Sequence, residues 1–144
     1  MAKSVRLQVI TPSKLFYEGD VELVIARTLS GEEGFMANHS WACKLLDTGE
    51  LWIQEAGSKD FIEAAISGGF VDIKEDIIIY TDNAEWPTDI DTERAQNTRA
   101  RMEQWLSEHS GADENPEDVA LAKANLQKQI VRVKAAAHDG HRRK

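Results

Sequence analysis

A chain of 144 residues, 42% apolar and 29% charged, has the makeup of a globular protein and buries roughly two thirds of its unfolded surface, enough for one domain or two small ones. A formal charge of −8 argues against nucleic acid as the main partner, because phosphate binding needs a basic patch. No apolar run approaches the ~18 residues of a membrane span, and the N-terminus carries no apolar signal core. The single cysteine, Cys43, excludes an intrachain disulfide and a Cys-based zinc site, and is expected to act as a small buried hydrophobe.

In chain order, Val5, Leu7 and Val9 alternate with Arg6, Gln8 and Ile10, the period-two pattern of a half-buried strand. After the turn Thr11-Pro12-Ser13-Lys14, extended segments follow at Leu15–Tyr17, Val21–Ala26, Cys43–Leu46, Leu51–Gln54, Phe61–Ser67, Phe70–Ile73 and Ile77–Thr81. Their separators carry turn chemistry: Glu18-Gly19-Asp20, Asp47-Thr48-Gly49, Gly57-Ser58, Gly68-Gly69 and Glu75-Asp76, with a long loop from Thr28 to Asn38. About eight short strands at this spacing predict an antiparallel β-sandwich or flattened barrel. No glycine-rich loop opens a helix, so a phosphate-cradling turn is not indicated.

The pattern changes between Glu85 and Ala95. Pro87 cannot donate to a ladder and pushes Trp86 toward an extended backbone, so the sheet should end there. Thr88, Asp89 and Asp91 are capping residues, and from Asp91 to about Ser107 the sequence favours helix, with Met102, Trp105 and Leu106 as its apolar stripe. A solvated linker from Glu108 leads to Asn115-Pro116-Glu117-Asp118, a strong start for a second helix. Its stripe is Val119, Ala122, Leu126, Ile130, Val133 and Ala137. The predicted architecture is therefore a sandwich over residues 1–86, a movable two-helix hairpin over 87–137 and a frayed basic tail over 138–144.

The ordered motifs Val9-Ile10-Thr11-Pro12, Phe16-Tyr17-Glu18-Gly19, Gly31-Glu32-Glu33-Gly34-Phe35 with His39, Gly49-Glu50-Leu51, Ser67-Gly68-Gly69-Phe70-Val71 and Ile90-Asp91-Thr92-Glu93-Arg94-Ala95 resemble the ε subunit of bacterial F-type ATP synthases over nearly the full length. The resemblance implies a non-catalytic rotor subunit. Its sandwich would bind the γ subunit and the c-ring, with Glu32 and His39 as the c-ring contact. Its helices would fold on the sandwich or extend to the α/β catalytic head and restrain hydrolysis. Membrane association would come only through the complex, at the cytoplasmic face of the bacterial membrane. No cofactor is required, but ATP is implied as a regulatory ligand. The motif carries over to Ile90, Asp91, Arg94 and Ala95, joined by Glu85, Lys128 and Arg132.

From the residues alone, Glu85, Asp91 and Arg94 read as a cap with a local ion pair, and the motif sets an ATP site beside that reading. Arg94, Lys128 and Arg132 could meet a triphosphate only in a folded hairpin. Two departures from the family pattern bear on function. Met36-Ala37-Asn38-His39-Ser40-Trp41 lacks both prolines usual there, and Lys128 replaces an arginine, which predicts weaker nucleotide binding. A metal site from His39, His109, His138 and His141 has no supporting spacing. Competing readings are a free-standing nucleotide-sensing module and a small sandwich enzyme, the latter without a nucleophile elbow at Ser67.

Overall fold

The computed structural model describes residues 3–109, 111 and 115–137; the expected tail, with His138 and His141, lies outside them. Seven strands come first: β1 (Val5–Ile10), β2 (Leu15–Thr28), β3 (Gly31–Phe35), β4 (Ala42–Glu55), β5 (Phe61–Ile73), β6 (Ile77–Tyr80) and β7 (Ala84–Glu85). A 3-10 turn at Pro87–Asp89 then leads into α1 (Thr92–Glu108) and α2 (Pro116–Ala137). β1 pairs with both β6 and β2, so the order β1-β6-β5-β4-β2 closes on itself as a flattened barrel. β3 extends it beside β2, and β7 pairs with β5.

Three expected chain reversals are bends inside long strands. Gly19, Asp47-Thr48-Gly49 and Gly68-Gly69 lie within β2, β4 and β5, which each serve both layers of the closed sheet. The Ser-Gly-Gly motif has a clear physical reason: Gly69 sits at φ +117, and a Cβ there would lie 1.8 Å from the Tyr80 carbonyl oxygen. Two other expectations are corrected. The Thr28–Asn38 stretch is not all loop, since β3 forms there with Leu29 and Ser30 at the turn, and β1 runs parallel to β6 rather than antiparallel.

Alternation fills the barrel as expected in β1, where Val5, Leu7 and Val9 turn inward to join Val24, Phe35, Ile53, Val71 and Ile79. The same alternation overturns the expectation for Cys43. Leu46 is the inward residue of that segment, so Cys43 and Leu45 face out and the thiol is exposed.

Trp86 is extended (φ −77, ψ 149), and the proline after it opens the 3-10 turn. Asp91 caps α1 by accepting from the Arg94 N–H at 3.0 Å, and Asn115 caps α2 by accepting from the Glu117 N–H at 2.9 Å. At the far end of α1 the His109 ring stacks on Trp105 with centroids 4.1 Å apart. α2 lies against β4, β5 and the 3-10 turn, while α1 packs chiefly on α2, so the layers run barrel, α2, α1. A helix between two partners needs two apolar faces. The expected stripe is half-buried at Val119, Leu126, Ile130 and Val133, with Ala122 buried and Ala137 exposed. The face on the barrel is a different one, Val131 and Ala135, which meets Ile90 and Ala65.

Candidate functional site

The docking surface for α2 is a single cross-strand row, Glu50 of β4, Ala65 of β5 and Glu85 of β7. Ala65 is small enough for Val131 and Ala135 to settle on it, and a carboxylate stands on either side. Arg132 meets Glu85 twice, with Nη2 donating to Oε2 at 3.1 Å and Nε 2.8 Å from Oε1. The Nε hydrogen has no aligned acceptor, so that second contact is Coulombic. Both side chains are largely buried, at 17% and 19% exposure, and Arg132 Nη1 also donates to Gln129 Oε1 at 2.9 Å. On the other side, Lys134 Nζ reaches Glu50 Oε1 at 3.1 Å.

The remaining residues of the expected ATP site fall into separate surroundings. Ile90 is buried under α2, and Ala95 is fully buried on α1. Asp91 uses its carboxylate as the α1 cap, and the expected Asp91–Arg94 ion pair is not formed. The Arg94 side chain points to solvent and lines an open polar hollow of about 430 Å³ with Asp91, Glu93, Asn97 and Arg101. Neither Lys128 nor Arg132 lines that hollow. Lys128 is half-buried one turn before Arg132. The fold thus joins Glu85 to Arg132 and Asp91 to the backbone N–H of Arg94.

Glu32 lies on β3 opposite Arg27, next to the exposed turn residue Leu29. His39 is braced by an edge contact to Phe35, centroids 5.6 Å apart, and its Nδ1 is 2.7 Å from the Ser40 carbonyl. Asn38 takes φ 65, which asparagine tolerates, and Met36 and Trp41 are exposed on either side. Beside Glu32, Lys44 pairs with Glu33 at 2.6 Å, and this hydrogen bond holds the Glu33 carboxyl below its usual range.

A second surface has no counterpart among the expected site residues. Leu45 pairs with Phe70, Phe70 with Tyr80, Tyr80 with Ile10 and Ile10 with Leu15, forming one row across five strands. Leu15, Leu45, Phe70 and Tyr80 are exposed, and the Phe70 and Tyr80 rings stack 4.8 Å apart. The sequence signal was present: Val9-Ile10, Leu45-Leu46 and Phe70-Val71 are adjacent apolar pairs, so these strands are apolar on both faces.

The family model for the beta-sandwich domain of the ATP synthase delta/epsilon chain matches residues 4–87, and the model for its long alpha-helix domain matches residues 88–137. The chain belongs to the ATP synthase delta/epsilon chain family. It is similar to the ATP synthase epsilon chain of Alkaliphilus oremlandii, 43% identical over 112 residues, covering 77% of this chain and 82% of the relative. The epsilon chain of Shouchella clausii is 38% identical over 139 residues, 95% of this chain and 98% of the other. A chain in the Euglena gracilis mitochondrial ATP synthase structure shares the fold at a TM-score of 0.77 and 22% identity, over 94% of this chain and 82% of that one. In this delta/epsilon chain, the two matched domains meet between Glu85 and Ile90, where the barrel gives way to the helices.

Proposed function

We propose that this epsilon-type chain is a non-catalytic rotor subunit of a bacterial F-type ATP synthase, held at the cytoplasmic face of the membrane by its partners. Its barrel joins the γ subunit to the c-ring, and its helices restrain ATP hydrolysis when they leave the barrel for the α/β catalytic head. The observation that carries the rotor reading is the apolar row Leu15, Ile10, Tyr80, Phe70 and Leu45, exposed at every position but the half-buried Ile10. An apolar belt of this extent favours burial against a stable partner, and we assign it to the γ subunit. A free-standing nucleotide sensor has no use for it. Glu32, with Leu29, Met36 and Trp41 near it in the chain, is assigned to the c-ring, with His39 bracing the loop.

ATP regulation is part of the same proposal. ATP would bind the docked hairpin with its phosphates on Arg94, Lys128 and Arg132, and with Glu85 and Asp91 accepting from the adenine or ribose. Ile90 and Ala95 would supply the apolar and close-packed support. A ligand present at a hundredfold its dissociation constant and bound only to the docked form favours that form by about 2.7 kcal/mol, enough to switch a small interface without hydrolysis.

Affinity purification of the tagged chain from its native membranes tests the rotor reading. Recovery of γ, c-ring and catalytic-head subunits is expected, and their absence would sink it. Truncation before Asp91 should keep γ and relieve inhibition; unchanged hydrolysis would remove the restraint from the proposal.

A further inference from the structure

The geometry points to a charge clasp that holds α2 on the barrel without any nucleotide, made by the Glu50–Ala65–Glu85 row gripping Lys134 and Arg132. It rests on the reading that α2 leaves the barrel, and it adds a residue pair outside the nucleotide motif. The two acids come from different strands yet stand on either side of one alanine, in the same register row. Their two cations come from one turn of α2, with Val131 before them and Ala135 after them on the apolar contact. The apolar part of that contact is small: Ala65, Ile90, Val131 and Ala135, with Ala136 at its edge. Most of what distinguishes the docked register from a slipped one is therefore charge.

The two halves of the clasp differ in environment. Arg132 and Glu85 are both largely buried, so salt screens them weakly. Lys134 keeps 61% of its side chain exposed while Glu50 keeps only 11%. Reversing the charge of Lys134 costs the largely solvated side chain no burial, and it sets two carboxylates against each other as soon as α2 docks. It also opposes the dipole of the last turn of α2, an effect that Lys134→Gln separates. A clasp of this kind makes release of the hairpin sensitive to ionic strength and to any partner that offers Lys134 and Arg132 another anion, such as an acidic protein surface.

The test uses the full chain without nucleotide, with Cys43→Ser and Ala135→Cys placing one thiol in the buried contact. Its rate of modification by a thiol reagent reports how often α2 leaves. Lys134→Glu should raise that rate about tenfold. Lys134→Gln and Glu50→Gln should each raise it, and together no further than either alone, because the two share one interaction. Additive increases, or no change with Lys134→Glu, would overturn the clasp. If the unmodified clasp lets the thiol react only at the rate of global unfolding, both the mobile hairpin and the clasp fall. Reaction well above that rate without dependence on these charges removes the clasp alone.

Discussion

Arg132 of α2 holds Glu85 of β7 at 2.8 and 3.1 Å, so an acid of the proposed ATP site is the partner of one of its cations. A phosphate must compete with that carboxylate for the guanidinium, which lowers affinity below that of a site with a waiting cation. Saturating ATP is expected to raise the Tm by about 10 °C, with Arg94→Ala and Arg132→Ala each abolishing the rise. Arg132→Lys should keep part of it, because lysine supplies the charge but not the planar fork. Thermal melts with and without millimolar ATP decide the matter; no rise in the parent chain would return Asp91 and Arg94 to being only a helix cap, and a full rise in Arg132→Ala would remove Arg132 from the site.

Gly69 is the position where the barrel has no room for a side chain. At φ +117, a Cβ would overlap the Tyr80 carbonyl oxygen at 1.8 Å, and that oxygen is backbone and cannot swing away. Gly69→Ala should cost about 3 kcal/mol, which lowers the Tm by about 10 °C in a domain of this size. Gly57→Ala provides the comparison, since nothing lies within 4 Å of a Cβ there although its φ of +82 still carries strain. Equal losses at the two sites would mean that backbone conformation, not the close approach, is what Gly69 supplies.

Much of this architecture is legible in the sequence because local signals and tertiary outcome agree. Asn115-Pro116 and Asp91 start helices where they should, and Pro87 ends the extended run. What is not legible is long-range. Gly19, Gly49 and Gly68-Gly69 look like reversals because a glycine that bends a strand and one that turns it back share a composition; only barrel closure separates the cases. The buried Val131/Ala135 face was hidden by the stronger stripe on the opposite side of α2. In the candidate site, the pairing of Glu85 with Arg132 joins residues 47 apart, and nothing local predicts that Lys134 meets Glu50.

Alkaline stability should be governed by Tyr17. Its phenol is partly buried and donates to Glu55 Oε2 at 2.9 Å, and burial followed by that bond pushes its pKa well above the usual value of 10. The folded chain therefore keeps this proton more tightly than the unfolded chain. The associated stability is complete below pH 10 and is lost as the pH rises above it toward the folded value. Tyr17→Phe should be less sensitive to pH above 10, and in the native chain one of the two tyrosines should resist ionisation in an absorbance titration. Glu33 works in the opposite direction: Lys44 holds its pKa low, so its contribution is present above the ordinary carboxylate value and lost as pH falls through the folded one.

The row from Leu15 to Leu45 gives the sharpest separation of stability from assembly. Phe70 is exposed and rests on Tyr80 rather than in the barrel core, so Phe70→Asp removes surface apolar contact while leaving Val71 and Ile79 packed. Its Tm is expected to stay within a few degrees of the parent, because surface changes away from special features cost little. At the interface the same change places a charge in the centre of an apolar belt, where anchor residues are typically worth about 2 kcal/mol or more. Capture of isolated γ subunit should therefore weaken at least about thirtyfold. Leu45→Asp, its cross-strand neighbour, should weaken it comparably. If both variants fold and hold γ as tightly as the parent, the belt faces something other than the γ subunit.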